Sequence, residues 1–102
     1  MGRAHGRRRR VDANHTAIVE ALRKAGYSVA STAMVGFGFP DIVVGAHGVN
    51  VLIEIKPPGK PSLQKLTKSE KEWHDAWQGS VYTVTSVETA LNAIIDAIDI
   101  AQ

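Results

Sequence analysis

The stretch from Asp41 to Lys56 constrains this chain most, because it reads as two apolar, β-branched runs wrapped around one glycine-bearing turn. Asp41 to Gly45 and Val51 to Lys56 are the runs, and His47-Gly48-Val49-Asn50 is the turn. A type II′ hairpin takes glycine at its first central position, so Gly48 predicts pairing of His47 with Asn50, Gly45 with Leu52, Val43 with Glu54 and Asp41 with Lys56. All of these side chains then share one face. Alternation sends Val51, Ile53 and Ile55 to the other, and Asp41, Glu54 and Lys56 fall within a cross-strand diagonal of about 7–8 Å. A slip of one residue would bury Glu54 and Lys56 and expose Ile53 and Ile55, so the assignment of faces is strongly specified.

Two carboxylates and an ammonium on one strand face can be an ordinary solvated surface with a cross-strand ion pair. They also have the composition of a metal-assisted hydrolytic site. Asp41 and Glu54 offer hard oxygen ligands of the kind that suit Mg²⁺ or Mn²⁺, ions that keep several waters and often bind through one or two carboxylates and a substrate phosphate. The Ile55 carbonyl is a further candidate ligand. Lys56 is placed to position an attacking water or to neutralise developing oxyanion charge.

Around this hairpin the order of elements can be followed. From Asp12 the pattern is helical, with Asp12 or Asn14 as N-cap, Ile18, Ala21, Leu22 and Ala25 as a buried stripe, and Gly26 as the stop. At about 100° per residue, His15 lies at the edge of that stripe and Glu20 points away from it. Tyr27 to Ala33 reads as a first strand. Val35-Gly36-Phe37-Gly38-Phe39-Pro40 is a glycine-rich approach to Asp41, whose glycines have the wrong spacing for a dinucleotide fingerprint and whose phenylalanines can pack in the core or stack on a base. Pro57, Pro58 and Pro61 exclude regular structure after Lys56, leaving Lys60 and Lys65 on or beside a surface loop as candidates for holding a phosphate strand, or simply as solubilising charge. Thr67 and Glu70 form a capping-box pattern opening a second helix, with Trp73, Ala76 and Trp77 as its packing stripe and His74 on the flank. After a turn at Gly79-Ser80, Val81 to Val84 is a fourth strand. Ser86 caps a last helix with Val87, Leu91, Ile94, Ile95 and Ile98 inward.

In the order αβββαβα, these elements and the motifs Pro40-Asp41 and Glu54-Ile55-Lys56 resemble the PD-(D/E)XK nuclease superfamily, and within it the small VRR-NUC and Holliday-junction-resolvase-like nucleases often encoded by phages. The similarity runs from about Asn14 to the C-terminal helix and takes in Ala21 to Tyr27, Val35 to Asp41, Leu66 to Glu70, and Trp73 to Trp77. It implies an α/β restriction-endonuclease-like αβββαβ core, a mixed central sheet flanked by helices plus a C-terminal helix, in a nuclease domain over residues 12–102. It also implies Mg²⁺- or Mn²⁺-dependent hydrolysis of DNA phosphodiesters to 5′-phosphate and 3′-hydroxyl ends, with Asp41, Glu54 and Lys56 catalytic. Structured or branched DNA, such as flaps and four-way junctions, is the implied substrate, and a homodimer the implied assembly. Many members add an acidic residue from the first helix and RecB-type members a histidine. Counting back from Gly26-Tyr27 lands on His15, which is preferred here over Glu20 as that ligand. VRR-NUC members carry glutamine where this chain has Glu70, so Glu70 is either a helix cap or a group that reaches the site through water.

Composition sets the outer limits. The chain has 102 residues, 44% of them hydrophobic, which fits one core and not two. No run of about 18 apolar residues suits a membrane span, no signal-peptide core is evident, and zero cysteines exclude a thiolate zinc site and a cysteine nucleophile, in keeping with a reducing cytoplasm, the host's if phage-encoded. No organic cofactor is expected. Net charge is only +2, but Arg3, Arg7, Arg8, Arg9 and Arg10 concentrate positive charge in residues 1–11, read as a flexible arm for phosphate contact or as a solubilising tail. The competing reading is a catalytically inactive nucleic-acid-binding protein on a nuclease-like fold. A sequence-specific restriction enzyme would need recognition elements for which 102 residues leave little room.

Overall fold

The computed structural model describes side chains for residues 13–102; the expected basic arm of residues 1–11, with Arg7, Arg8, Arg9 and Arg10, lies outside the described side chains. Its elements run α1 (Gly2–Lys24), β1 (Ser28–Ser31), β2 (Ile42–Ala46), β3 (Val49–Ile55), α2 (Lys68–Ala76), β4 (Val81–Val84) and α3 (Val87–Ala101), with a short 3-10 turn at Pro61–Leu63. The four strands form one mixed sheet in the order β1-β2-β3-β4, antiparallel except for the parallel pair β3 and β4. This is the expected αβββαβ layout with its C-terminal helix. Parallel pairing demands a crossover between β3 and β4, and α2 supplies it.

One face of the sheet is the core. Ile42, Val44, Val51, Ile53, Ile55 and Val84 point into it and meet Ile18 and Leu22 of α1 and Ala90, Ala93, Ile94 and Ala97 of α3. Full burial of each large aliphatic side chain contributes about 1.5–3 kcal/mol. Alanines on α3 let that helix lie close to the strands, while Ile95, expected inward, is 52% exposed because it lies about 100° around the helix from Ile94. Gly26 at φ 97 closes α1, with the Tyr27 amide donating to Leu22 O and the Gly26 amide to Arg23 O, the paired bonds of a Schellman stop.

Two expectations about local structure are corrected. Asn14 is not an N-cap; it lies inside α1 and its side-chain amide donates to Lys56 O at 3.0 Å and Thr85 O at 3.5 Å, tying the helix to the ends of β3 and β4. The hairpin register differs by two residues from the expected one: Gly45 faces Asn50, Val43 faces Leu52 and Ile42 faces Ile53. Its turn is centred on His47 and Gly48 at φ 52 and 79, so both central residues are left-handed as a type I′ turn requires. A two-residue shift leaves every side chain on its assigned face.

α2 stands apart from this core. None of its residues is fully buried, and Trp73 stacks on Trp77 at 4.6 Å while Phe39 meets both rings edge-on, so the expected stripe is an aromatic cluster on the surface. Gly38 fits against the helix so closely that a β-carbon there would overlap the Ser69 carbonyl. The loop before Asp41 and the start of α2 are thereby locked together.

Candidate metal-dependent active site

Asp41 lies one residue before β2 and is fixed at three points. Its amide donates to Ile53 O at 3.0 Å, its carbonyl accepts from the Thr32 amide at 2.8 Å, and Oδ2 accepts from the Ile55 amide at 2.7 Å. Extending the β2–β3 register by one position sets Asp41 beside Glu54, directly across rather than on a diagonal. Ile55 therefore enters the site through its amide, which orients the Asp41 carboxylate.

Glu54 is the central buried acid, only 3% exposed on the face away from the hydrophobic core. Its Oε2 lies 3.6 Å from the Lys56 ammonium, and its Oε1 is buried without any hydrogen-bond partner. Burial, then the charges of Asp41 and Glu70, push its carboxyl up to about 8, with Lys56 offsetting part of the effect. Lys56 follows directly after β3; its amide donates to Val84 O at 2.9 Å and its carbonyl receives the Asn14 side chain, so its backbone is held from both sides.

The second ionic partner of Lys56 comes from the helix. Lys56 Nζ donates to Glu70 Oε1 at 2.7 Å, and the same carboxylate accepts the Thr67 amide at 2.9 Å within the Thr67–Glu70 capping box. Burial would raise the Glu70 carboxyl, yet the Lys56 and Thr67 hydrogen bonds outweigh it and hold the group below its ordinary range. The cap is as expected; the direct reach into the site is an addition to it. One turn on, His74 has a buried Nε2 with no partner, and burial, against the pull of Glu70, lowers its proton affinity.

Asp41, Glu70 and the Lys56 ammonium thus gather around Glu54, a set of three carboxylates and one ammonium that carries a formal charge of −2 when every group is ionised. An excess of two negative charges, hard oxygen donors and an orphaned buried carboxylate oxygen fit a small divalent cation. Among the described residues no group of three or more His, Cys, Asp or Glu converges as a ready-made metal cage. Two carboxylates with solvent and substrate oxygens are the pattern that suits Mg²⁺ or Mn²⁺.

His15 and Glu20 both line a cleft of about 270 Å³ with Thr16, Val19, Arg23, Val29, Ser31 and Ile42, the residue that follows Asp41. Lys60 and Lys65 are exposed on the segment that joins Lys56 to α2. Glu70 and His74 belong to the cluster instead, and their spacing of four, one helical turn, was the available signal. Among the described residues no helix is long and apolar enough to cross a membrane.

No family model, curated protein or solved structure matches this chain.

Proposed function

We infer that this protein is a divalent-metal-dependent endonuclease that hydrolyses DNA phosphodiester bonds, with structured or branched DNA as its substrate class. The observation that carries this reading is the buried Glu54 carboxylate beside Asp41, raised first by burial and then by like charge, with Oε2 3.6 Å from the Lys56 ammonium and Oε1 left without a partner. An isolated surface ion pair needs none of this burial, and two charges held together at such expense are the mark of a working site.

Asp41 and Glu54 would hold Mg²⁺ or Mn²⁺, with the Ile55 carbonyl as a further ligand, and the cation would supply Lewis acidity toward the phosphoryl oxygens and acidify the attacking water. The Ile55 amide holds Asp41 Oδ2 and so fixes the orientation of that carboxylate. Lys56, steadied by Glu70, offers an ammonium donor to the water or to the charge that develops on phosphorus-bound oxygen. Lys60 and Lys65, with the basic residues 1–11, would bind flanking phosphates. A homodimer with two such sites would suit cleavage of both strands.

The test is cleavage of end-labelled duplex, flap and four-way-junction DNA in Mg²⁺, Mn²⁺ or EDTA. Cutting that requires metal supports the reading and ranks the substrates. Salt-sensitive binding with no cutting on any substrate would favour the non-catalytic nucleic-acid binder.

A further inference from the structure

Between β1 and Asp41 the chain presents two large apolar side chains almost wholly to solvent, Met34 at 98% exposure and Phe37 at 94%, with Val35 half-exposed between them. Folding stability explains neither. Phe37 buries almost no surface, and its backbone sits at φ 56 between Gly36 at 74 and Gly38 at 83, a conformation that penalises a β-carbon and leaves glycine free. Glycine at position 37 would fold at least as easily.

The base of this loop is nonetheless firmly held. Thr32 Oγ1 donates to Pro40 O at 2.7 Å, the Thr32 amide donates to Asp41 O at 2.8 Å, and the Val35 and Phe39 amides close turns onto Thr32 O and Gly36 O. Phe39 packs against Trp73 at 4.9 Å between ring centroids, and Gly38 abuts Ser69. An apolar tip on a pinned base thus stands four residues from Asp41.

We propose that the Met34–Phe37 tip is a stacking platform for an unpaired nucleobase of the nucleic acid bound at the Asp41–Glu54 site; this deepens the nuclease reading and rests on it. Two side chains are far too small a surface for a stable protein interface, which needs about 800 Å² on each partner. A single exposed ring does match one base, whose π-face stacks on an aromatic side chain whatever its sequence. The neighbouring chemistry agrees: Lys56 lies in the site that Asp41 completes, and the exposed Lys60 and Lys65 precede the helix start that Gly38 touches. In a continuous duplex each base is already stacked on its neighbours, so the tip favours DNA with a base free at a gap, flap or branch.

The experiment compares the full chain with Phe37→Gly and Phe37→Trp in EDTA. It measures anisotropy of a labelled duplex and of the same duplex carrying a short gap with 2-aminopurine at the unpaired position. The parent is expected to prefer the gapped DNA and quench the probe; Phe37→Gly should lower that preference about tenfold and abolish quenching, and Phe37→Trp should restore both. Melting of Phe37→Gly within a few degrees of the parent separates this loss from misfolding. A preference unchanged within twofold, or a parent oligomer that Phe37→Gly dissociates, overturns the proposal, the latter by making the tip a self-association face. Metal-dependent cutting of gapped, flap or four-way-junction DNA by the parent scores the nuclease reading separately: cutting with an unchanged preference removes the stacking platform alone, whereas neither cutting nor binding removes both.

Discussion

The Lys56 ammonium donates to Glu70 Oε1 at 2.7 Å while its distance to Glu54 Oε2 is 3.6 Å, so the lysine is held more tightly by the helix than by its neighbour on the strand. Glu70 therefore joins the capping of α2 to the placement of the Lys56 ammonium. Glu70→Gln preserves an oxygen for the Thr67 amide but removes the charge. Unfolding free energy should fall by no more than about 1 kcal/mol, with cleavage reduced about tenfold. Glu70→Ala also removes the side-chain half of the capping box, the bond from the Thr67 amide, while Thr67 Oγ1 still caps the helix, and should lose about 1 kcal/mol more by denaturant titration. Equal activity in parent and Glu70→Gln would separate the helix cap from catalysis.

The Glu54 carboxyl, raised to about 8, makes stability depend on pH with a definite sign. Its folded value lies above its ordinary 4.5, so the metal-free protein binds this proton more readily when folded. That contribution is full below pH 4.5 and is lost as pH rises toward 8, each tenfold in proton affinity corresponding to about 1.4 kcal/mol. The Tm measured in EDTA should therefore fall over this window in the parent and stay flatter in Glu54→Gln. Adding Mn²⁺ should raise the parent's Tm more at pH 8 than at pH 6, since the metal binds the ionised form. A Tm equally insensitive to pH in both proteins would contradict the burial and charge arguments for Glu54.

Gly38 couples the loop before Asp41 to the N-terminus of α2, at φ 83 and in contact with Ser69. Gly38→Ala meets backbone strain and a backbone clash together, and should destabilise the fold by at least about 2 kcal/mol. Gly48→Ala is the control, since Gly48 has φ 79 with open space around it and should show the strain alone. Comparable chemical denaturation midpoints for the two variants would mean that the loop and helix are not locked.

His15 and Glu20 share a cleft with Arg23, Ser31 and Ile42 and take no part in the ion pairs that join Glu54, Lys56 and Glu70. His15→Ala and Glu20→Ala should each alter Mn²⁺ affinity by less than about twofold, read by calorimetry. A loss near tenfold in His15→Ala alone would bring the first helix into the metal shell, as the family resemblance implies.

The faces of the hairpin were legible from alternation, because Val51, Ile53 and Ile55 cannot exchange sides with Glu54 without exposing the core. Its register was less so. Gly48 can serve as the first central residue of a II′ turn or the second of a I′ turn, and only the left-handed backbone of His47 decides between them. That choice moves the partner of Asp41 from Lys56 to Glu54, which is the difference between a cross-strand ion pair and two carboxylates side by side. Ser86 and Thr67 marked both later helix starts through local capping chemistry. The landing point of α2 was hidden by the proline-rich segment after Lys56, so Glu70 had a complete local explanation in its cap and its bond to Lys56 could not be seen. Phe37 and Phe39 were equivalent as letters; packing against Trp73 buries one side of Phe39 and leaves Phe37 free.

The most direct measurement is cleavage of a 5′-labelled four-way junction by the parent and by Asp41→Ala, each with excess Mn²⁺ and with EDTA. The account predicts cutting by the parent in metal only, leaving 5′-phosphate and 3′-hydroxyl ends, and a loss of at least about 10²-fold in Asp41→Ala. Full activity in Asp41→Ala, or cutting by the parent in EDTA, would contradict it.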